Sequence, residues 1–498
     1  MQHPLFSVAQ IRGIERTAAA GLEPGILMDR AGRAAADHAA DLLGPGTGRA
    51  VLVLAGPGNN GGDALEVAAH LAAREQVTVI HLRGDGAQPS FETARAIERA
   101  GASSATFTDA LPSAEPDLVI DGLFGIGLTR PLEGRGRELV DTINEYGCPV
   151  LALDLPSGLD ADTGAVVGPD GIAVRASHTI TFIGDKPGLH TNEGREYAGQ
   201  VAVVGLDISQ DQFPPATALL STPDLFAHCL RARGQNANKG TFGNVAIVGG
   251  AHGMTGAPML GARAALFTGA GRVFAAFVDP GPAYDSTQPE VMCRLAGGFD
   301  FGTATLVLGP GMGHSPDAVR DLLRAFESAS PLVIDADALN LIANSPDLQQ
   351  RLTQRGNAIL TPHPLEAARL LGMTVPIVQA DRLAAAHELA ARFNAVAVLK
   401  GSGTVIAHGD QVAVNSTGNP GLATAGTGDV LAGICGSLLA QGWPLWEAAL
   451  GGVWLHGAAA DRLVRRGIGP IGLTAGELPL AARAVLNELV RRYARRRS

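Results

Sequence analysis

The chain has 498 residues, of which 46% are hydrophobic and 17% charged, and it carries a formal net charge of -10. That length exceeds one ordinary hydrophobic core and predicts two or more domains, while the composition excludes the disordered class. The acidic balance and the lack of a long basic stripe argue against nucleic-acid binding.

Arginine supplies nearly all the positive charge. The only lysines are Lys186, Lys239 and Lys400, and two of the three stand beside glycine-rich segments. The four cysteines, Cys148, Cys229, Cys293 and Cys435, are scattered without metal-ligand spacing and suit small buried side chains in a reducing compartment. The N-terminal stretch MQHPLFSVAQIRGIERTAAA has no apolar signal core, and no apolar run is long enough to span a bilayer. A cytoplasmic location away from membranes is expected.

A first domain is expected over residues 1–215. Ser7 and Gln10 predict a capping box that opens the first helix, and Met28–Ala40 predicts a second. The apolar run Val51–Leu54 predicts a buried strand, followed by a glycine-rich turn, Gly56–Asp63, and a helix over Ala64–Arg74. Strand, polar turn, helix is the arrangement that places ligands at the carboxyl edge of a parallel sheet. The turn is not the usual dinucleotide fingerprint, because Asn59, Asn60 and Asp63 offer amide and carboxylate groups instead. The plainer alternative is an Asx-rich turn that only caps the helix.

Strands are predicted at Val77–His81, Leu118–Ile120 and Val150–Leu153, with a helix at Phe91–Ala100. The third strand ends at Asp121 and runs into Gly122–Leu128; the fourth ends in Asp154-Leu155-Pro156-Ser157-Gly158. Asn60, Asp121, Asp154 and Ser157 would then share one edge, where their oxygens could hold a hard cation or merely cap loops. IAVRA, HTITFIG and VAVVGLD, between 172 and 207, predict further strands. Lys186 lies among them with surface and ligand roles equally open. Gln210–Thr222, with Pro214 and Pro215, reads as a linker.

A second domain is expected over residues 225–498. Strands at Asn244–Val248, Arg272–Phe277, Thr305–Leu308, Leu332–Ile334, Ala358–Leu360 and Val396–Leu399 mostly end in glycine-rich or polar segments and often precede helices, among them Pro258–Thr268. This predicts a doubly wound sheet with its active edge at the strand ends. Lys400-Gly401-Ser402-Gly403-Thr404 could meet nucleotide phosphates or form a plain turn before a strand at Val405–Ala407. No GxxxxGK[ST] loop occurs. His363, between Pro362 and Pro364, could bind substrate or be structural. Asp335 and Asp337 could position magnesium or cap a helix at 338–343. The terminal RRYARRRS reads as a helix end or solvated tail.

The segment 413–436, AVNSTGNPGLATAGTGDVLAGICG, carries the sharpest signal. Glycines running into a helix start expose backbone N–H groups to an anion. Asp429 beside them is a poor anion ligand, so it is expected to take a proton or help hold a metal; the alternative is a helix cap.

In order, these motifs resemble the bifunctional NAD(P)H-hydrate repair enzyme family. PGNNGGD at 57–63, DGLFGIGL at 121–128 and DLPSG at 154–158 resemble the epimerase domain. KGTFGNVAIVGG at 239–250, MTGA at 254–257, GPGMG at 309–313, DADALN at 335–340, TPHP at 361–364 and NPGLATAGTGDVLAG at 419–433 resemble the ADP-dependent dehydratase. The resemblance implies an α/β chain: a Rossmann-like three-layer epimerase domain, then a ribokinase-like doubly wound domain. It implies that Asn59, Asn60, Gly61, Gly62, Asp63, Gly125, Ile126, Gly127, Leu128, Thr129, Arg130, Pro131 and Asp154 bind the hydrated dinucleotide, and that Asn60, Asp121 and Ser157 coordinate K+. In the second domain Ala257, Gly313, His363 and Asp429 would contact the hydrate, and Lys400, Gly401, Ser402, Gly403, Thr404 and Gly428 the adenine nucleotide. Ala64 and Leu365 stand where the family usually has glycine; Ala64 is expected near the pocket mouth and Leu365 at a pocket edge.

The implied substrates are NADHX and NADPHX, which are NADH and NADPH with water added across a ring double bond and a hydroxyl beside the ring nitrogen. Asp429 would deprotonate that hydroxyl as it attacks the terminal phosphoryl of ADP, with Mg2+ bridging phosphate oxygens, and Asp154 would shuttle a proton in the epimerase. A homo-oligomer is expected. The rival readings are a ribokinase-class small-molecule kinase and a non-catalytic nucleotide-binding scaffold.

Overall fold

A computed structural model describes residues 3–84 and 88–494; the end of the basic tail, residues 495–498, lies outside the described residues. The chain divides into two compact units, residues 4–218 and the C-terminal half from Leu219 onward.

The first unit is built on a parallel sheet with strand order Thr106–Phe107, Gln76–His81, Ala50–Ala55, Leu118–Gly122, Val150–Leu153, His178–Phe182, Gln200–Val204. Both faces are covered, which is why its strands read as unbroken apolar runs. Val51 and Val53 pack on the side that also holds Ile11, Ala31, Leu65 and Ala96. Leu52 and Leu54 pack on the other side with Leu139, Val140 and Ile143. Chain order reverses between Ala50–Ala55 and Leu118–Gly122, so the crevice of a doubly wound sheet opens at the carboxyl ends of those two strands.

Several local expectations hold. Ser7 and Gln10 form the reciprocal capping box of the helix Val8–Ala19. Three others need correction. The helix expected from Ala64 starts at Asn59, so Asn60 to Asp63 belong to the helix rather than to a turn before it. Glycines are required there because a Cβ on Gly61 would lie 1.9 Å from the Gly56 carbonyl oxygen. IAVRA is not a strand: Ala173 and Val174 are buried without a ladder, Val174 N–H donating instead to the Ser157 carbonyl. The segment expected as linker contains the strand Ala218–Ser221, which pairs in parallel with Gln411–Asn415 of the second unit's sheet.

From residue 218 onward, the strands of that second sheet run Ala218–Ser221, Gln411–Asn415, Val405–His408, Val396–Leu399, Ala358–Leu360, Leu332–Ile334, Thr305–Leu308, Asn244–Gly249, Arg272–Phe277, Val291–Leu295. It is parallel except at the two pairings made by Val405–His408. Val245 and Ile247 face a core that includes Val430, Ile434 and Leu455; Ala246 and Val248 face one that includes Leu322, Leu339 and Leu389. The reversal of strand order falls between Asn244–Gly249 and Thr305–Leu308, which places the expected ligand crevice at Gly249 and Gly309.

Candidate functional site

In the first unit a cavity of about 720 Å³ opens at the sheet edge. Asn59, Asn60, Asp63, Gly125 to Arg130 and Asp154 line it, together with Arg12 and Glu15 from the first helix. The expected residues from three separate segments therefore converge. Pro131, Gly61 and Gly62 do not line it: Gly62 packs so closely on Met28 that a Cβ would lie 2.5 Å from its methyl. Ala64 is also away from the pocket mouth. It is fully buried, and a Cβ on Gly122 would sit 2.4 Å from its methyl.

Asp121 is completely buried at the end of its strand. Its Oδ1 accepts from Ser157 Oγ at 2.7 Å and Leu123 N at 3.2 Å, and its Oδ2 from Ser157 N at 2.8 Å. Ser157 Oγ in turn accepts from Phe124 N at 2.8 Å. Burial pushes the Asp121 carboxyl up to about 6, against the pull of the Ser157 and Leu123 bonds. Asn60 is buried where the chain passes the residue after Asp121: a Cβ on Gly122 would lie 2.9 Å from the Asn60 carbonyl oxygen. Neither its amide oxygen nor its nitrogen has a partner among the described residues. Buried polar groups are normally satisfied. An orphaned amide beside a buried carboxyl and a hydroxyl is a donor set that fits a hard cation.

Asp154 has φ +68°, a left-handed conformation that costs a non-glycine residue on the order of 1–3 kcal/mol. Its partner is Lys186, a residue whose role the sequence left open. Lys186 is fully buried; its Nζ donates to Asp154 Oδ1 at 2.6 Å, Thr181 Oγ1 at 2.5 Å, and the Phe182 and Gly184 carbonyls at 3.1 Å each. The rarity of lysine in the chain was the one available sign.

In the second unit the helix Thr427–Ala440 begins after Gly426 at φ +87°. Asp429 lies in its first turn. Burial, then the nearby Asp335, pushes its carboxyl up to about 7 against the opposing pull of Lys400. Lys400 Nζ lies 2.7 Å from Asp335 Oδ1 and 3.9 Å from Glu366 Oε2. It also comes within 3.3 Å of the position a Cβ on Gly428 would take. Three strand ends, those leading to Asp335, to the helix that carries Glu366 and to Lys400, thus meet one helix start at an acidic corner around a single ammonium.

Asp335 and Asp337 are already engaged. Asp335 makes no side-chain cap and pairs with Lys400, while Asp337 Oδ2 accepts from Gly313 N at 2.9 Å. Gly311, at φ +56°, approaches Ala257 so closely that a Cβ would lie 3.3 Å from the Ala257 methyl, so the 254–257 and 309–313 segments adjoin. His363 caps the helix Pro364–Leu371. Its Nδ1 accepts from Leu365 N at 3.1 Å and Glu366 N at 3.3 Å, and Glu366 Oε2 accepts from His363 N at 2.8 Å. Leu365 is exposed.

The loop 400–404 is tied by Thr404 Oγ1, which donates to the Gly401 carbonyl at 3.1 Å. It is buttressed by Arg382, buried and donating to the Leu399 and Lys400 carbonyls; a Cβ on Gly401 would lie 2.8 Å from that guanidinium. Arg382, Glu366 and Asp461 were not expected from the sequence. The Asp461 carboxylate accepts from Gly418 N and Asn419 Nδ2 and so holds the loop that leads to Asp429. A Glu three residues after His363 and two after Pro364 was a legible capping signal for Glu366. Arg382 and Asp461 lie on distant helices, and nothing local marks them.

Residues 245–475 match the NAD(P)H-hydrate dehydratase family and residues 24–188 the YjeF-related protein N-terminus. The chain is 39% identical to the bifunctional NAD(P)H-hydrate repair enzyme Nnr of Coxiella burnetii, over 97% of this chain and 99% of that one. It is 37% identical to the protein of the same name from Escherichia coli, over 97% and 94%. Its C-terminal half is 48% identical to the ADP-dependent (S)-NAD(P)H-hydrate dehydratase of Neisseria meningitidis, over 55% of this chain and 95% of that one. With both units matched and nearly the whole length shared, the chain belongs to the family of bifunctional NAD(P)H-hydrate repair enzymes.

Proposed function

We propose that the chain repairs hydrated nicotinamide cofactors in two steps. The first unit interconverts the R and S forms of NADHX and NADPHX. The second dehydrates the S form to NADH or NADPH, consuming ADP and releasing AMP and phosphate. The observation that carries this reading is Asp429. It is a half-buried carboxyl pushed up to about 7, placed in the first turn of a helix whose N-terminal N–H groups attract an anion.

A base near neutrality accepts the hydroxyl proton most effectively. Phosphorylation turns hydroxide into phosphate, a far better leaving group, which the lone pair of the neighbouring ring nitrogen expels. The N–H groups at 427 and 428 would stabilise charge on the transferring phosphoryl. Lys400 supplies the one ammonium at this corner among the described residues, and its loop through Thr404 would meet the nucleotide. Because Asp335 and Asp337 are committed to Lys400 and Gly313, magnesium would arrive on the diphosphate rather than in a protein-built cage. Ala257, Gly313 and His363 would meet the hydrate.

In the first unit Asn60, Asp121 and Ser157 would hold potassium, whose charge would relieve the buried Asp121 carboxyl. The 59–63 and 125–131 segments would hold the dinucleotide, with Asp154 moving the proton. A cytoplasmic homo-oligomer completes the proposal. The experiment incubates separated R and S hydrates with ADP, ATP or no nucleotide, following restored dihydronicotinamide absorbance and phosphate release. Restoration of the S form with stoichiometric AMP and phosphate is expected; a stable phosphorylated product would identify a small-molecule kinase instead.

A further inference from the structure

Two carboxyls from different elements share the first unit's cavity, and the buried ammonium touches only one of them. Asp154, just past the strand Val150–Leu153, meets Lys186 Nζ at 2.6 Å. Asp63, on the helix Asn59–Leu71, lines the same cavity and meets no cation among the described residues. Glu15, from the helix Val8–Ala19, faces both carboxyls and has Arg12, Arg16 and Lys186 as its charged neighbours. All the other partners of Lys186 are neutral oxygens, so its charge is directed at Asp154.

We propose that Lys186 divides the work of these two carboxyls: it holds Asp154 in place as the proton acceptor, and it leaves Asp63 as the acid that protonates the departing hydroxyl during epimerisation. This rests on the reading of the cavity as the epimerase site. The surroundings of Asp63 support the assignment, since burial, then the facing carboxylates of Asp154, Glu15 and Glu66, push its carboxyl well above the usual range. Nearby like charges favour the neutral form of a carboxyl.

The chemistry balances without a further reactant. Asp63 gives its proton to the hydroxyl oxygen of the R hydrate. The carbon–oxygen bond breaks, its electron pair leaves with water, and the ring-nitrogen lone pair forms the carbon–nitrogen double bond of an iminium ion. Water then adds to the other face of that carbon and gives a proton to Asp154. The S hydrate results, one proton has passed from Asp63 to Asp154, and exchange with solvent resets the pair. The reverse reaction runs the same steps backward. Lys186 is a positioning residue here; Asp63 and Asp154 are the groups that touch the reacting atoms.

The test uses the full chain, purified R hydrate, no nucleotide, and water labelled with oxygen-18, with the two epimers separated chromatographically. The wild-type protein is expected to place one solvent oxygen in each molecule it epimerises. Asp63→Asn is expected to slow conversion by about 10²–10⁴-fold. Lys186→Met is expected to lower kcat while KM stays within threefold of wild type, and Lys186→Arg to restore most of the rate. Circular dichroism checks that each variant is folded; should Lys186→Met not fold, Asp63→Asn and the label decide. Retention of the original oxygen, an Asp63→Asn rate within threefold of wild type, or equal kcat for wild type and folded Lys186→Met would each overturn the proposal. Asp154→Asn separates the two levels: if it alone abolishes epimerisation, the cavity is the epimerase site and only the division of roles fails. If it too is without effect, the reading of the cavity fails with it.

Discussion

Lys400 Nζ lies 2.7 Å from Asp335 Oδ1, although 65 residues separate them in the chain. The pair is mostly buried and stands beside the carboxyl of Asp429. Burial works against the ammonium, but Asp335 and Glu366 together hold it charged. The same arrangement tunes Asp429, which Asp335 raises and Lys400 lowers.

Asp429→Asn is expected to retain the fold and epimerisation while losing about 10²–10⁴-fold in ADP-dependent dehydration, the usual contribution of a positioned general base. In the wild-type protein the dehydration rate should fall as pH drops through about 7, because the base is then protonated. Recovery of dihydronicotinamide absorbance from the S hydrate measures both; near-normal turnover by the variant would remove Asp429 from the base role.

Lys400→Met leaves Asp335 and Glu366 buried without their cation. Removing one member of a buried pair costs on the order of 3–5 kcal/mol, so denaturant unfolding of the second unit should move to a lower midpoint. The acid limb of any remaining dehydration should move above its wild-type position, since the one charge that lowers Asp429 is gone. An unchanged limb would show that Lys400 and Asp429 are not electrostatically coupled.

Potassium should stabilise the first unit in a pH-dependent way. Asp121 has a folded value, about 6, above its ordinary unfolded one. Its contribution is therefore fully present below about pH 4 and is lost as pH rises through about 6. Ionising it costs on the order of 3 kcal/mol, which a bound cation would offset. Thermal unfolding in potassium chloride should exceed that in choline chloride at pH 7–8, with the gap shrinking below pH 5. Equal Tm values across the range would exclude a potassium site there.

His363→Ala should cost about 0.5–2 kcal/mol through loss of the cap on Pro364–Leu371, and His363→Asn should regain part of it. If His363 also meets the hydrate, both variants should raise KM for the S hydrate, which separates the binding role from the cap. Steady-state kinetics beside chemical denaturation gives the two numbers independently.

The strands were legible because each is an apolar run bounded by glycine or polar residues, and burial on both faces removes any competing pattern. Those expected in the second sheet start and end within a residue of expectation, whereas Ala218–Ser221, Val291–Leu295 and Gln411–Asn415 were not expected. The helix at Asn59–Leu71 was misjudged at its start because Asn and Gly are poor interior helix formers. Tertiary contacts override that preference: Gly61 and Gly62 are there to let Gly56 and Met28 come close. IAVRA has strand composition but no neighbour to pair with, and composition cannot supply one.

Sequence order was enough to identify two units, the family, and segments that converge on the candidate sites, because glycine-rich strand ends of a parallel sheet leave a local pattern. Which charges face one another was decided only by folding. Lys186 against Asp154, Lys400 against Asp335, and Arg382 beneath Gly401 each join residues 18 or more apart. Electrostatic interaction depends on distance through space and on burial, and neither quantity is written along the chain.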